Sequence, residues 1–243
     1  MTTLHTIRMP GGEPDPKSTL ERLGEYAFRP LFLMLALQAL GMVVLWVCWW
    51  QGLLQLGWER NPVLWHGHEM ISGFAAAAIG GFALTAVATW TSRPAVGGWR
   101  IWLLCALWLG ARLSLFAPVA HGLFDIGYWL LLLILMSNEV LRAGNQRNIK
   151  ILVVLALLLA VDVAWHLAEL NGGGGWLRQA TLAQLWLVIV LIGIVGGRII
   201  PALTGNWLRR QAAAAGAIQQ AAPLPPSFGR IDLAAMLTLG AFA

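Results

Sequence analysis

The chain has 243 residues, of which 58% are apolar and only 11% are charged. Globular domains carry about 25% charged residues, so this composition excludes a soluble domain, a disordered chain, a coiled coil, collagen and a disulfide scaffold. The formal net charge is +5. Because the basic residues lie in short loops between apolar runs, we interpret them as membrane-topology charges and expect no nucleic-acid partner.

Long apolar runs follow a polar N-terminal segment. Residues 1–27 lack the short apolar core of a secretory signal, so we interpret them as a cytoplasmic tail. About 20 apolar residues cross a bilayer as a helix. We therefore predict that residues 28–243 form an all-α, polytopic transmembrane helix bundle in the lipid bilayer, with six complete spans at 31–50, 70–90, 101–120, 122–138, 151–170 and 179–197. A further run starts near residue 231 and reaches residue 243, so we interpret it as a seventh span that is cut short.

The lysines and arginines predict the orientation, because cytoplasmic loops of membrane proteins are rich in these residues. With the N-terminus inside, the outer segments hold only Arg60 and Arg178, and most other basic residues fall on the inner side. Tryptophans cluster at both predicted interfaces, as aromatic belts do. The pattern predicts a multi-pass membrane protein with a cytoplasmic N-terminus.

Polar side chains from four predicted spans fall in one layer near the outer face. Ionisable residues inside a membrane are costly and indicate functional sites. The histidines of this layer are candidate metal ligands, and its carboxylates and arginine are candidate supporting groups, because a ligating histidine usually donates its second N–H to a carboxylate. The candidates are His66, His68, His121 and His166, with Glu69, Arg112, Asp125, Asp162 and Glu169.

The spacing of these residues indicates which of them share a helix face. Asp162, His166 and Glu169 are separated by four and three positions, so they lie on one face. His66 and His68 are two positions apart and point in nearly opposite directions on a regular helix. We therefore do not expect His66 and His68 to chelate one ion. The alternative for each histidine is an interhelical hydrogen bond or solvation at the interface.

Two further features carry open alternatives. Small residues recur four apart in the second span, at Ala76 and Gly80 and at Ala77 and Gly81, which favours close helix packing; a flat macrocycle against the backbone is the alternative. Arg198 at the inner boundary is either a topology anchor or the contact of an anion, such as a haem propionate or a lipid phosphate.

Three segments resemble the NnrS family. The first begins His66-Gly67-His68-Glu69-Met70 and continues to Thr91, the second runs from Gly197 to Thr204, and the third runs from Asp162 to Leu167. The resemblance covers the chain from about residue 28 to its end. In the first segment, Ala88 and Thr89 stand where the family signature has Pro-Asn. The resemblance implies a bacterial inner-membrane protein that contains haem b and copper and is linked to nitric oxide metabolism or nitrosative stress.

The implied cofactors suit the histidine layer, since imidazole ligates both haem iron and copper. Which histidine would bind which metal is left open, and Met70 is a weaker candidate as a soft copper ligand. We predict a haem- and copper-binding protein that handles nitric oxide or iron–nitrosyl species. The alternatives are a cytochrome b-like electron-transfer module and a cofactor-free, ion- or proton-coupled transporter. Catalytic residues, enzymatic turnover, the redox partner and the oligomeric state stay unassigned.

Overall fold

The computed structural model describes residues 18–54, 62–115 and 117–214, together with 234, 235 and 238. The described residues form helices and no strands, which confirms the all-α prediction. The helices are α1 (Thr19–Leu23), α2 (Phe28–Trp50), α3 (Pro62–His68), a π-helical segment (Glu69–Ala75), α4 (Ala76–Thr91), α5 (Trp99–Leu113), α6 (Pro118–Arg142), a 3-10 turn (Gln146–Asn148), α7 (Ile149–Leu170) and α8 (Gly174–Ala214). Most of the predicted N-terminal tail and of the run at 231–243 lies outside the described residues.

Five of the described helical stretches are long and apolar enough to cross a membrane. They are Phe28–Trp50, Pro62–Thr91, Pro118–Arg142, Gln146–Leu170 and Gly174–Ala214. Large apolar side chains on their outer faces are exposed, including Leu40 and Ile192 at 66% and 65%. Such surfaces suit lipid and not water, so the chain is a multi-pass membrane protein.

The predicted span at 101–120 differs from the structure. Helix α5 ends at Leu113, and Pro118 already begins α6. Ser114 closes α5 by donating a 2.7 Å side-chain hydrogen bond to the Gly110 carbonyl oxygen, and proline is favoured at the first position of the next helix. The 15 residues of α5 cover about 22 Å, less than the ~30 Å hydrocarbon core. The count of six complete spans is therefore not confirmed.

Helix α4 packs closely against α2 and α6. A Cβ at Gly81 would lie 2.9 Å from the Phe32 ring, and one at Gly80 would overlap the Tyr128 hydroxyl. Neighbouring side chains thus cover these two small residues, which favours the helix-packing interpretation over a macrocycle at these positions.

We expect Gly80→Ala to destabilise the bundle. The added methyl group would displace the Tyr128 hydroxyl, which donates a 2.7 Å hydrogen bond to the Ala76 carbonyl oxygen. Overpacking of this kind costs about 1–3 kcal/mol. Gly41→Ala is the matched control, because a Cβ at Gly41 has nothing within 4 Å and alanine favours the helix. Thermal unfolding in detergent measures the difference, and equal melting temperatures would contradict the packing.

Candidate metal centre

The π-helical segment, Glu69–Ala75, directly follows His68 and contributes Glu69 to the site. Segments of this kind are rare and frequently occur at functional sites. His68 ends α3 and Glu69 starts the π-helical segment, and both side chains are buried. Glu69 belongs to the donor group around His68, and it also lies three positions after His66, a spacing that brings side chains together on one helix face.

Helix α5 supports the backbone of this segment. The indole N–H of Trp108 donates a 2.8 Å hydrogen bond to the Gly73 carbonyl oxygen. The Arg112 guanidinium donates a 3.1 Å hydrogen bond to the Ser72 carbonyl oxygen. Buried carbonyl groups need such partners, so α5 stabilises the irregular turn.

Three histidines from three helical elements meet in the interior. The ring centroids of His68 and His166 are 5.0 Å apart, those of His121 and His166 are 5.2 Å apart, and those of His68 and His121 are 5.9 Å apart. Three imidazoles that bind one ion at about 2.0 Å would place their centroids roughly 5–5.5 Å apart. The ring spacing matches three imidazoles around one ion, while the donor atoms themselves form two overlapping groups that share His68.

The Nε2 atoms of these histidines face two aspartates. His68 Nε2 is 3.1 Å from Asp162 Oδ1, and His121 Nε2 is 2.9 Å from Asp125 Oδ2. His166 Nε2 is 3.7 Å from Oδ2 of both aspartates. The possible metal ligands form two groups, and within each group the donor atoms all lie within 4.8 Å of one another. One group is His68, Glu69, His121 and Asp125, and the other is His68, Asp162 and His166.

Only one carboxylate oxygen of Asp162 accepts hydrogen bonds. Its Oδ1 accepts hydrogen bonds from Ser72 Oγ at 2.7 Å and Gln184 Nε2 at 3.0 Å. Its Oδ2, His68 Nδ1 and both ring nitrogens of His166 are buried without a hydrogen-bond partner. Unsatisfied buried polar atoms cost free energy, so the donor set fits a metal ion at this position.

Arg112 joins the carboxylates of the centre. Its Nε donates to Glu69 Oε2 at 3.0 Å, and its Nη2 donates to Asp125 Oδ2 at 3.0 Å. Gln38 Nε2 adds a 3.0 Å hydrogen bond to Glu69 Oε2. The buried carboxylates of Glu69, Asp125 and Asp162 outnumber this guanidinium, so with neutral imidazoles the formal charge is −2.

Three predicted site residues lie at the edge of this group. The His66 ring stacks on Trp46 with centroids 4.2 Å apart, and its Nδ1 has no partner. The Glu169 carboxylate is 3.8 Å from His166 Nδ1 and partly exposed. Met70 is half-buried in the π-helical segment, and its role as a copper ligand stays a prediction.

Arg198 lies at the other end of the bundle. Its Nη1 donates a 2.5 Å hydrogen bond to Asn148 Oδ1, and its guanidinium lies 4.8 Å from the centroid of the Trp90 ring. Asn148 directly precedes α7, so at 1.5 Å per residue it lies about 27 Å from His166 along the axis of that helix. A haem bound by the clustered histidines would therefore not reach Arg198.

Sequence reasoning missed four supporting residues. Gln38, Ser72 and Gln184 make the hydrogen bonds given above, and the Trp165 ring stacks on His68 at 3.7 Å. Gln38 and Gln184 lie in predicted spans without a charged residue. Polar amides in such spans favour interhelical hydrogen bonds, and these two amides carry no charge that would mark them.

A cavity between α7 and α8 does not suit haem. It measures about 510 Å³, which is enough space for a cofactor. Its walls include Val161, Leu167, Trp176 and Ala183, and none of its lining residues is a histidine. Haem iron requires an axial ligand from the protein, so this cavity does not fit haem b.

The fold and the site define a multi-pass membrane protein with a buried histidine–carboxylate cluster that suits a metal ion. The chain matches the family model described as NnrS protein over residues 22–243. It therefore belongs to the NnrS family, as the resemblance in its motifs predicted. No curated protein and no solved structure matches the chain.

Proposed function

We propose that His68, His121 and His166 bind a copper ion in a protein of the bacterial inner membrane that is linked to nitric oxide metabolism or nitrosative stress. The observation that carries this proposal is the approach of three buried imidazoles to within 5.0–5.9 Å of one another. Copper, nitric oxide and the inner membrane come from membership of the family.

The charge of the centre supports a divalent ion. With neutral imidazoles, as in ligands of a metal ion, three buried carboxylates and one guanidinium leave a formal charge of −2, which is costly in a low-dielectric interior. One divalent cation neutralises this charge, and imidazole is a favoured ligand of Cu(II). Asp162 and Asp125 would then orient the ligating rings.

For haem b, the only support is the resemblance to the family. His66 is the one predicted histidine outside the cluster and is the candidate axial ligand. The topology completes the proposal: with the N-terminus in the cytoplasm, the histidine cluster lies near the outer face, and nitric oxide or an iron–nitrosyl species would be its ligand.

The test uses the full chain purified in detergent after expression with copper and a haem precursor. We expect stoichiometric copper by elemental analysis, haem in a pyridine extract and a spectral change on addition of nitric oxide. Metal-free, colourless protein with proton-driven uptake in liposomes would overturn the proposal in favour of a transporter. Six-coordinate, low-spin haem without copper or a nitric oxide response would favour an electron-transfer module.

A further inference from the structure

A small basic cavity lies at the end of the bundle opposite the histidine cluster. It measures about 180 Å³ and lies where the loop after α4 meets the start of α5 and the end of α6. Its polar lining comprises Arg93, Arg100, Asn138, Glu139 and Arg142. Glu139 is about 20 Å along α6 from Asp125, so this cavity is separate from the metal centre.

The wall of the cavity is anchored to the rest of the fold. Val96 in the loop after α4 is buried in the main core. The Gly98 amide donates a 2.8 Å hydrogen bond to the Gly24 carbonyl oxygen, and Gly98 has a positive φ of 68°, which glycine adopts without strain. These contacts fix the position of the loop, and with it the position of Arg93.

The cavity carries an excess of positive charge. Arg93 Nε donates a 2.6 Å hydrogen bond to Glu139 Oε2, so one arginine and the carboxylate neutralise each other. Arg100 and Arg142 are exposed, and within the described residues neither has an ion pair. Two guanidinium groups are thus free to bind an anion, with the Asn138 amide beside them.

Apolar side chains place this cavity at the level of the lipid headgroups. Trp99 is 69% exposed, and the Arg100 guanidinium lies 5.7 Å from the centroid of its ring. Exposed tryptophan is typical of the membrane–water interface. Leu103, one turn after Arg100, and Leu141, next to Arg142, are also exposed and offer contacts for an acyl chain.

We propose that this cavity binds the phosphate group of an anionic phospholipid. Guanidinium groups bind phosphate oxygens with paired hydrogen bonds, and basic pockets between transmembrane helices take anionic headgroups. Free phosphate shares this chemistry, but the exposed leucines and Trp99 favour a ligand with acyl chains. The proposal does not depend on a metal in the histidine cluster.

The test is native mass spectrometry of the full chain in detergent, titrated with phosphatidylglycerol or phosphatidylcholine. We expect the first phosphatidylglycerol to bind more tightly than phosphatidylcholine. Arg100→Gln with Arg142→Gln should weaken it by about 30-fold, since each basic group near an anionic lipid contributes about 1 kcal/mol. Arg178→Gln with Arg210→Gln removes the same charge from exposed positions outside the cavity, and we expect a change below about 2-fold.

Equal losses in the two double variants, or equal binding of the two lipids by the unmodified chain, would overturn the proposal. Competition by millimolar inorganic phosphate, with no preference between lipids, would assign the cavity to free phosphate instead. If the first double variant is not monodisperse, Arg100→Gln and Arg142→Gln are measured singly, with about a 5-fold loss expected for each.

Discussion

Alanine at His68, His121 or His166 is expected to abolish stoichiometric copper binding. Each substitution removes one of the three imidazoles that approach one another at 5.0–5.9 Å. Removing a group that merely supports a metal ligand lowers affinity about 10–100-fold, so loss of a ligand should exceed that range. Elemental analysis of desalted protein, followed by titration against a copper chelator, measures the effect.

His66→Ala is the matched control for this series. The His66 ring stacks on Trp46 outside the cluster, so copper should stay at the wild-type level. A loss of haem in this variant alone would assign the axial ligand. Two outcomes would contradict the proposed centre. One is an equal loss of copper in all four variants. The other is wild-type copper in all three cluster variants while each elutes as a monodisperse species.

Arg112→Met is expected to have the largest effect on stability. The Arg112 side chain is only 8% exposed and pairs with both Glu69 and Asp125 at 2.9–3.0 Å. Removing one partner of a buried ion pair leaves uncompensated charge and costs about 3–5 kcal/mol. The apolar methionine side chain replaces part of the volume, so the effect reports the lost ion pairs together with the lost hydrogen bond to the Ser72 carbonyl oxygen. Thermal unfolding in detergent measures it.

A control and a rescue variant separate charge from packing. Arg178→Met removes an exposed arginine and should change stability by less than about 0.5 kcal/mol. Combining Arg112→Met with Glu69→Gln and Asp125→Asn removes the two orphaned charges, so it should recover part of the loss. If Arg112→Met melts at the same temperature as Arg178→Met, or if the triple variant recovers no thermal stability, the ion pairs do not stabilise the bundle.

The position of the polar residues along their helices was predictable from sequence. Asp162 and His166 lie in the same half of α7, and His121 and Asp125 lie near the start of α6, because position along a helix is linear in residue number at 1.5 Å per residue. The placement of Arg198 at the opposite end follows from the same arithmetic. The pairing of Arg112 with Glu69 and Asp125 was not predictable, since it depends on how α5 rotates against its neighbours.

The sequence by itself determined the class of the protein: all-helical, embedded in a membrane, with the motifs of the NnrS family. Hydropathy and motifs are local properties, so they can be read without the fold. Only the tertiary structure decided that α5 ends at Leu113, that Glu69 lies in the donor group of His68, and that His68 and not His66 lies beside His121 and His166. The reason is physical: the direction in which a side chain points around its helix, and what it meets there, depends on the local twist and on packing against other helices.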